Sequence, residues 1–185
     1  MNPGLCPHSL KTSSIKNAFQ KMKHVTNLFF LLVSPPPSIL EDVSYFKQQT
    51  WKRIGHSYQS LHSKAHLTLL QYVDFHNESR LYTYSDVISH IKSFTINIKG
   101  FGFFKNNGTI FLKPYAPDLD ELSGCLGHTI APHITIARNL KLIDFNVAWS
   151  ALKKLSYSNS FKCDCITVLK RINNKWQPHL DLPLA

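Results

Sequence analysis

The sequence is short of charge, and above all short of acid. Asp, Glu, Lys and Arg make up only 17% of the 185 residues, too little for a coiled coil or a charged disordered chain. Acids number 11 against 21 bases, so the formal net charge is +10. The first 23 residues carry Lys11, Lys16, Lys21 and Lys23 and no acid at all. Nowhere do carboxylates cluster as a divalent cation would require. Cysteine is scarce too. Cys6, Cys125, Cys163 and Cys165 are too few for a disulfide-stapled secreted fold. Cys163 and Cys165 would share one face of a continuous strand, but no second close Cys or His pair completes a zinc site, so the thiols are expected reduced, in a cytoplasm. Long apolar runs are also missing. In the N-terminal region the longest is Leu28–Val33, six residues against the roughly 20 that a membrane helix needs. Three prolines follow it, not the small residues of a signal-cleavage site.

What is present suits one globular unit. Hydrophobic residues make up 43% of the chain, enough for a core. Residues 1–21 read as a basic, poorly ordered tail, and Met22 would serve equally as a start. Residues 22–185 read as a single two-lobed domain, and the protein is expected to be a monomer. Its positive balance suits a polyanion such as RNA, although a basic chain that merely stays soluble has the same balance.

Period and punctuation divide the chain. "HVTNLFFLLV" reads as a strand halted by Pro35–Pro37. Residues 38–54 read as a helix capped by Ser38, with Ile39, Val43, Phe46 and Ile54 as its buried stripe. "AHLTLLQYV" is a strand, residues 74–85 a polar connection, and "SDVISHI" a short helix capped by Ser85. Two strands flank the hairpin turn Lys105–Gly108, where Asn107-Gly108 tolerates positive φ. A helix follows over 118–127, then the strand "PHITIAR", then a helix capped by Asp144. "FKCDCITVLKRI" reads as one long strand, "NNK" as a turn, and the remainder as a last extended segment. The order β-α-β-α-β-β, α-β-α-β-β is an approximate duplication. Neither half has apolar surface to spare, so two packed α+β lobes around one cleft are expected.

Each half brings one H-x-T strand. In "HLTL" alternation puts His66 and Thr68 on one face and Leu67 and Leu69 on the other. "HITI" does the same with His133 and Thr135 against Ile134 and Ile136. A strand buried on both faces would not choose these polar groups, whereas a strand with one face in a wet cleft would. Taken singly, either motif is equally a satisfied histidine beside a threonine chosen for strand propensity. A third copy, His24-Val25-Thr26, opens its strand and has Asn27 where the others have an apolar residue, so it reads as incidental. The other two gain their weight from occupying matching places in the two halves.

Those residues, with Pro132 before and Ala137-Arg138 after the second motif, resemble the 2H phosphoesterase superfamily. The likeness is to its LigT-like branch of 2′–5′ RNA ligases and RNA 2′,3′-cyclic phosphodiesterases. It spans roughly 24–185 and extends to the central hairpin "GFGFFKNNGTIFLKPY" and the closing segment. "LLQYVDF" departs from the aromatic-leucine-glycine stretch usual after the first motif. The resemblance implies an α+β fold of two pseudo-symmetric lobes, each an antiparallel sheet with helices outside, around a V-shaped cleft. It implies a phosphoric diester hydrolase that needs no metal or cofactor and opens 2′,3′-cyclic phosphates on RNA ends or nucleotides, with reversible 2′–5′ ligation. His66 would be general acid and His133 general base in hydrolysis, the roles exchanging in reverse. Thr68 and Thr135 would bind the phosphoryl oxygens, and Arg138 would hold phosphate if the strand ends or bulges before it. Alternatives are another small cyclic phosphate, a 2′–5′ oligonucleotide, or an RNA-binding module without turnover. Of the aromatics flanking the central hairpin, Phe101, Phe103, Phe104 and Tyr115 read mostly as core, with one of them available to stack on a base, and Trp176 in the closing segment reads as core. Lys105 reads as solvated.

Overall fold

The computed structural model describes residues 28–74, 79–127 and 131–185. The tail over 1–21 and the His24 motif lie outside them. Eight strands form one antiparallel sheet: β1 (Leu28–Val33), β2 (Leu67–Asp74), β3 (Phe94–Phe104), β4 (Thr109–Tyr115), β5 (Ile134–Ala137), β6 (Ser158–Cys163), β7 (Cys165–Ile172) and β8 (Lys175–Pro183). Their order is β6-β3-β4-β5-β2-β1-β7-β8. The centre is narrow, because β5 and β2 pair only at Leu67 and Ile134. This seam divides the sheet into two four-stranded lobes. Four helices lie outside: α1 (Pro37–Ile54), α2 (Ser79–Ser89), α3 (Pro117–Cys125) and α4 (Leu142–Leu152). Helices α1 and α4 pack together, α1 against β5 and α4 against β4, while α2 packs on β8 and α3.

The duplication is present, with its hairpins exchanged. The β3–β4 hairpin follows the first motif in sequence but pairs through β4 with β5, which carries the second. The β7–β8 hairpin follows the second motif and pairs through β7 with β1, beside β2. Each lobe therefore takes strands from both halves of the chain, which is why neither half stands alone.

Several local readings are corrected. The segment 161–172 is not one strand. It breaks at Asp164, with Cys163 opposite Phe94 in one lobe and Cys165 opposite Pro183 in the other. Phe161 and Cys163 are buried before the break, Ile166 and Val168 after it. The apolar phase thus slips by one residue where the chain crosses between lobes. Helix α1 begins at Pro37 with Pro36 as N-cap, and Ser38 caps nothing. Proline fits the first helical position because its missing N–H would be unbonded there anyway. Helix α2 begins at Ser79, so Ser85 lies inside it. Buried Leu81 and Ile88, seven residues apart, anchor a stretch whose polar composition suggested a loop. Asp144 sits in the first turn of α4 behind the N-cap Lys141, where its charge still favours the helix start. The central hairpin turns through a 3₁₀ segment, Lys105–Asn107, closed by Gly108 at φ 56°. Asn173 and Asn174, both at positive φ, make the last turn. Among the described residues no helix is long and apolar enough to cross a membrane.

Candidate active site

The two motifs meet at the seam. Leu67 and Ile134 are paired and fully buried, so they face the core and their sequence neighbours face the other way. Extending the antiparallel register by one step sets His66 opposite Thr135 and Thr68 opposite His133. Each imidazole thus lies across the strand pair from the other motif's hydroxyl. Adjoining strands supply the row beside them. Leu32 pairs with Thr68, and Phe111 with Thr135. Leu32 and Phe111 are both buried, yet neither belongs to the hydrophobic core cluster, because both lie on the cleft face.

Both histidines are held alike. The Nδ1 of His66 lies 2.9 Å from the carbonyl oxygen of Lys64, and that of His133 2.9 Å from the carbonyl oxygen of Ala131. A carbonyl only accepts, so each Nδ1 carries the proton and each Nε2 is the working nitrogen. Phenylalanine edges hold the ring planes. Phe30 meets His66 at 5.3 Å in a T-shaped contact, and Phe104 meets His133 at 5.2 Å in the same geometry. Phe111 adds a tilted contact to His133 at 5.4 Å. These two matched sets come from opposite lobes.

The surroundings are cationic. Burial lowers the His66 pKa from its ordinary value, the hydrogen bond to Lys64 opposes this, and the charges of Lys47, His133 and Arg138 lower it further. None of these neighbours is an acid, so the free cleft favours an anion. Arg138 is exposed just past the end of β5, where its charge bears on both His66 and Lys47.

Lys47 went unread in the sequence. It is buried on the core-facing stripe of α1, and its Nζ donates to the Ser60 carbonyl (2.8 Å), the Ser63 carbonyl (2.6 Å) and the Ser63 hydroxyl (3.1 Å). Three acceptors match the three hydrogens of an ammonium. Burial and then Arg138 push its pKa down to about 8, which leaves it charged at neutrality. The loop it holds runs into His66. Ser60 also ties that loop to β5, its hydroxyl donating to the Ile136 carbonyl (3.3 Å) and accepting from the Arg138 N–H (3.1 Å). Asn139 donates to Gln59 close by. The approach to the first histidine is thereby fastened to the strand bearing the second. The spacing Ile39, Val43, Phe46, Lys47, Thr50 carried the signal, a lysine and a threonine at core positions of an amphipathic helix.

The aromatic candidates part company. Phe101 is buried against Phe46 and Tyr157. Phe103 lies on the outer face against Phe145 and Trp149. Phe104 lies in the cleft, and Tyr115 is exposed. Trp176, expected in the core, is half-buried outside it, 5.6 Å from Phe30. Lys105 is exposed at the hairpin tip, as expected. Among the described residues no group of three or more His, Cys, Asp or Glu could hold a metal ion.

Two lobes meeting at a seam, each contributing an H-x-T strand, define an α+β protein of the LigT-like kind. The sequence pattern of the 2′–5′ RNA ligase superfamily matches residues 35–175, and the chain belongs to that superfamily, the 2H phosphoesterases. Solved structures agree at the level of fold. Escherichia coli LigT complexed with 3′-AMP is 15% identical, with TM-score 0.65, covering 86% of this chain and 99% of its own. LigT complexed with NADP+ is 18% identical, with TM-score 0.65 and coverages of 86% and 98%. The protein TT0787 of Thermus thermophilus is 15% identical, with TM-score 0.62 and coverages of 84% and 97%. No curated protein matches the chain.

Proposed function

We propose that this protein is a phosphoesterase that opens 2′,3′-cyclic phosphates on RNA ends or nucleotides without a metal, and that reversible 2′–5′ ligation is the same ring opening with an RNA 5′-hydroxyl attacking in place of water. The observation that carries the reading is the pair of imidazoles, one from each lobe, each with Nδ1 bound to the carbonyl two residues upstream and Nε2 left to exchange a proton. In-line attack at phosphorus needs one such group on each side. Water attacks phosphorus as His133 Nε2 takes its proton. The bond from phosphorus to the ribose 3′ oxygen breaks as His66 Nε2 donates a proton to it, leaving a 2′-phosphate. Thr68 and Thr135 donate hydrogen bonds to the non-bridging oxygens, where charge builds up. Arg138 adds a cation at the rim. LigT has been crystallised with 3′-AMP, ATP and NADP+, which supports a nucleotide-like ligand for this cleft too.

The lowered His66 pKa bears on its role as acid. In the empty cleft the protonated ring is disfavoured, and a bound phosphate anion restores it.

The test is hydrolysis of a short RNA ending in a 2′,3′-cyclic phosphate, in EDTA, by the wild type and by His66→Ala and His133→Ala. A 2′-phosphate product from the wild type and none from either variant is the expected result. Full activity in either variant would refute the mechanism. Turnover of cyclic mononucleotides alone would move the substrate to a small molecule.

A further inference from the structure

The face that carries the histidines continues well beyond them. Along β4 alternation places Phe111, Lys113 and Tyr115 on the cleft side, with Ile110, Leu112 and Pro114 buried behind. Tyr115 lies opposite Asn97, and Asn97 opposite Ser160, while Lys162 lies opposite Thr95. Lys99, Lys113, Tyr115 and Lys162 are all exposed, Tyr115 at 67%. Helices α1 and α4 pack on the other side of this lobe. From Phe111 to Tyr115 is about 13 Å at the usual strand rise.

Exposed lysines on a sheet are ordinarily just solvated. Three observations set this face apart. First, β3, β4, β5 and β6 contain no Asp or Glu, so no carboxylate interrupts the lysines, whereas the opposite lobe has Asp181 beside Thr167. Second, Gly102 lets a ring and a lysine stem from β4 lie down on β3 next to the site. A Cβ at Gly102 would come within 2.6 Å of the Phe111 ring and 3.1 Å of Lys113 Cγ, so these two side chains lie across it. Third, the surface is continuous with the site, because Phe111 contacts His133.

We infer that the open face of β3, β4 and β6 is a track for single-stranded RNA, holding the nucleotides upstream of the end that lies between the histidines. Lysines neutralise successive phosphates, and Tyr115 offers a ring on which a base stacks, a combination that grips a strand without reading its sequence. This deepens the proposed function: the substrate is an oligoribonucleotide end, not a free mononucleotide.

Binding by anisotropy tests it in the His66→Ala background, where turnover does not consume the ligand. The probes are an eight-nucleotide RNA with a 3′-phosphate and a nucleoside 3′-monophosphate. The triple variant Lys99→Ala/Lys113→Ala/Lys162→Ala, and separately Tyr115→Ala, should weaken the octamer about tenfold more than the mononucleotide. The triple variant should lower the slope of log affinity against log salt by about 2, at roughly 0.7 per phosphate contact. Lys52→Ala/Lys153→Ala/Lys154→Ala removes the same charge elsewhere and should leave both affinities within twofold. The inference is overturned if the octamer binds no better than the mononucleotide, or if the two triple variants lose equally. A wild type that binds the octamer through this face yet opens no cyclic phosphate would sink the proposed function and keep the track. Turnover of cyclic mononucleotides with no preference for the octamer would do the opposite.

Discussion

At the scale of single residues the protein depends on which nitrogen carries a proton. Backbone carbonyls bind both Nδ1 atoms, so replacing either histidine removes a positioned proton carrier. His66→Ala and His133→Ala should each lower kcat by about 10²–10⁴ with substrate binding largely kept, measured on cyclic-phosphate RNA under saturation. Thr68→Ala and Thr135→Ala should cost less, about 10- to 100-fold, the scale of one hydrogen bond to a charged group. The direction of the His66 shift makes a sharper prediction. As acid, His66 must be protonated, and its lowered pKa means that kcat/KM falls with rising pH earlier than an ordinary imidazole would allow. Bound anion raises that pKa, so the same limb should lie higher in the kcat profile. Both limbs are macroscopic values of the coupled pair. If His66→Ala abolishes the acidic limb instead, the acid and base roles are exchanged.

Elements position these residues, and they do so through contacts that sequence patterns hardly show. Lys47 is the clearest case. Its ammonium satisfies two carbonyls and a hydroxyl in the loop leading to His66. Lys47→Met keeps the apolar stem and strands those acceptors, so it should destabilise the fold by about 2–3 kcal/mol in urea unfolding. It should also reduce kcat more than it raises KM, since the loop sets the imidazole and not the whole cleft. An unchanged kcat would mean that the loop is held without the clamp. Gly102 makes a second test. An added methyl group would displace the Phe111 ring from beside His133, so Gly102→Ala should cost about 1–3 kcal/mol and weaken catalysis together. The histidines were legible because period 2 sets a polar pair against an apolar face. Phe30 was not, because "LFFLLV" is apolar at every position and alternation cannot say which side is which. Only the partner strands separate Phe29, which is core, from Phe30, which lies against His66.

Over the whole molecule, the sheet passes through one residue pair between two lobes that each contain strands from both halves. Ile134 lies opposite Leu67 across the seam and Leu112 within its own lobe, with no exposure. Ile134→Ala should therefore cost about 2–4 kcal/mol. Hairpin exchange further requires that both lobes unfold together. Single-tryptophan versions that keep Trp149 or Trp176 should report the same urea midpoint, and separate midpoints would show lobes that fold independently.

By itself the sequence determined the faces. Strand and helix periods decide which side chains share a side, and from that follow the two H-x-T motifs, most helix stripes, the turns and the expectation of a cleft. The break at Asp164 was not legible there, since 161–172 read as one strand and only burial in two lobes separates Cys163 from Ile166. Tertiary structure alone decided adjacency. Which strand lies beside which is a long-range choice, made by the fit of whole apolar faces and not by any local period. That choice sends each hairpin to the other motif's lobe, brings two distant histidines across one seam, and makes Lys47, Ser60, Phe30 and Phe111 neighbours of a site that none of them adjoins in sequence.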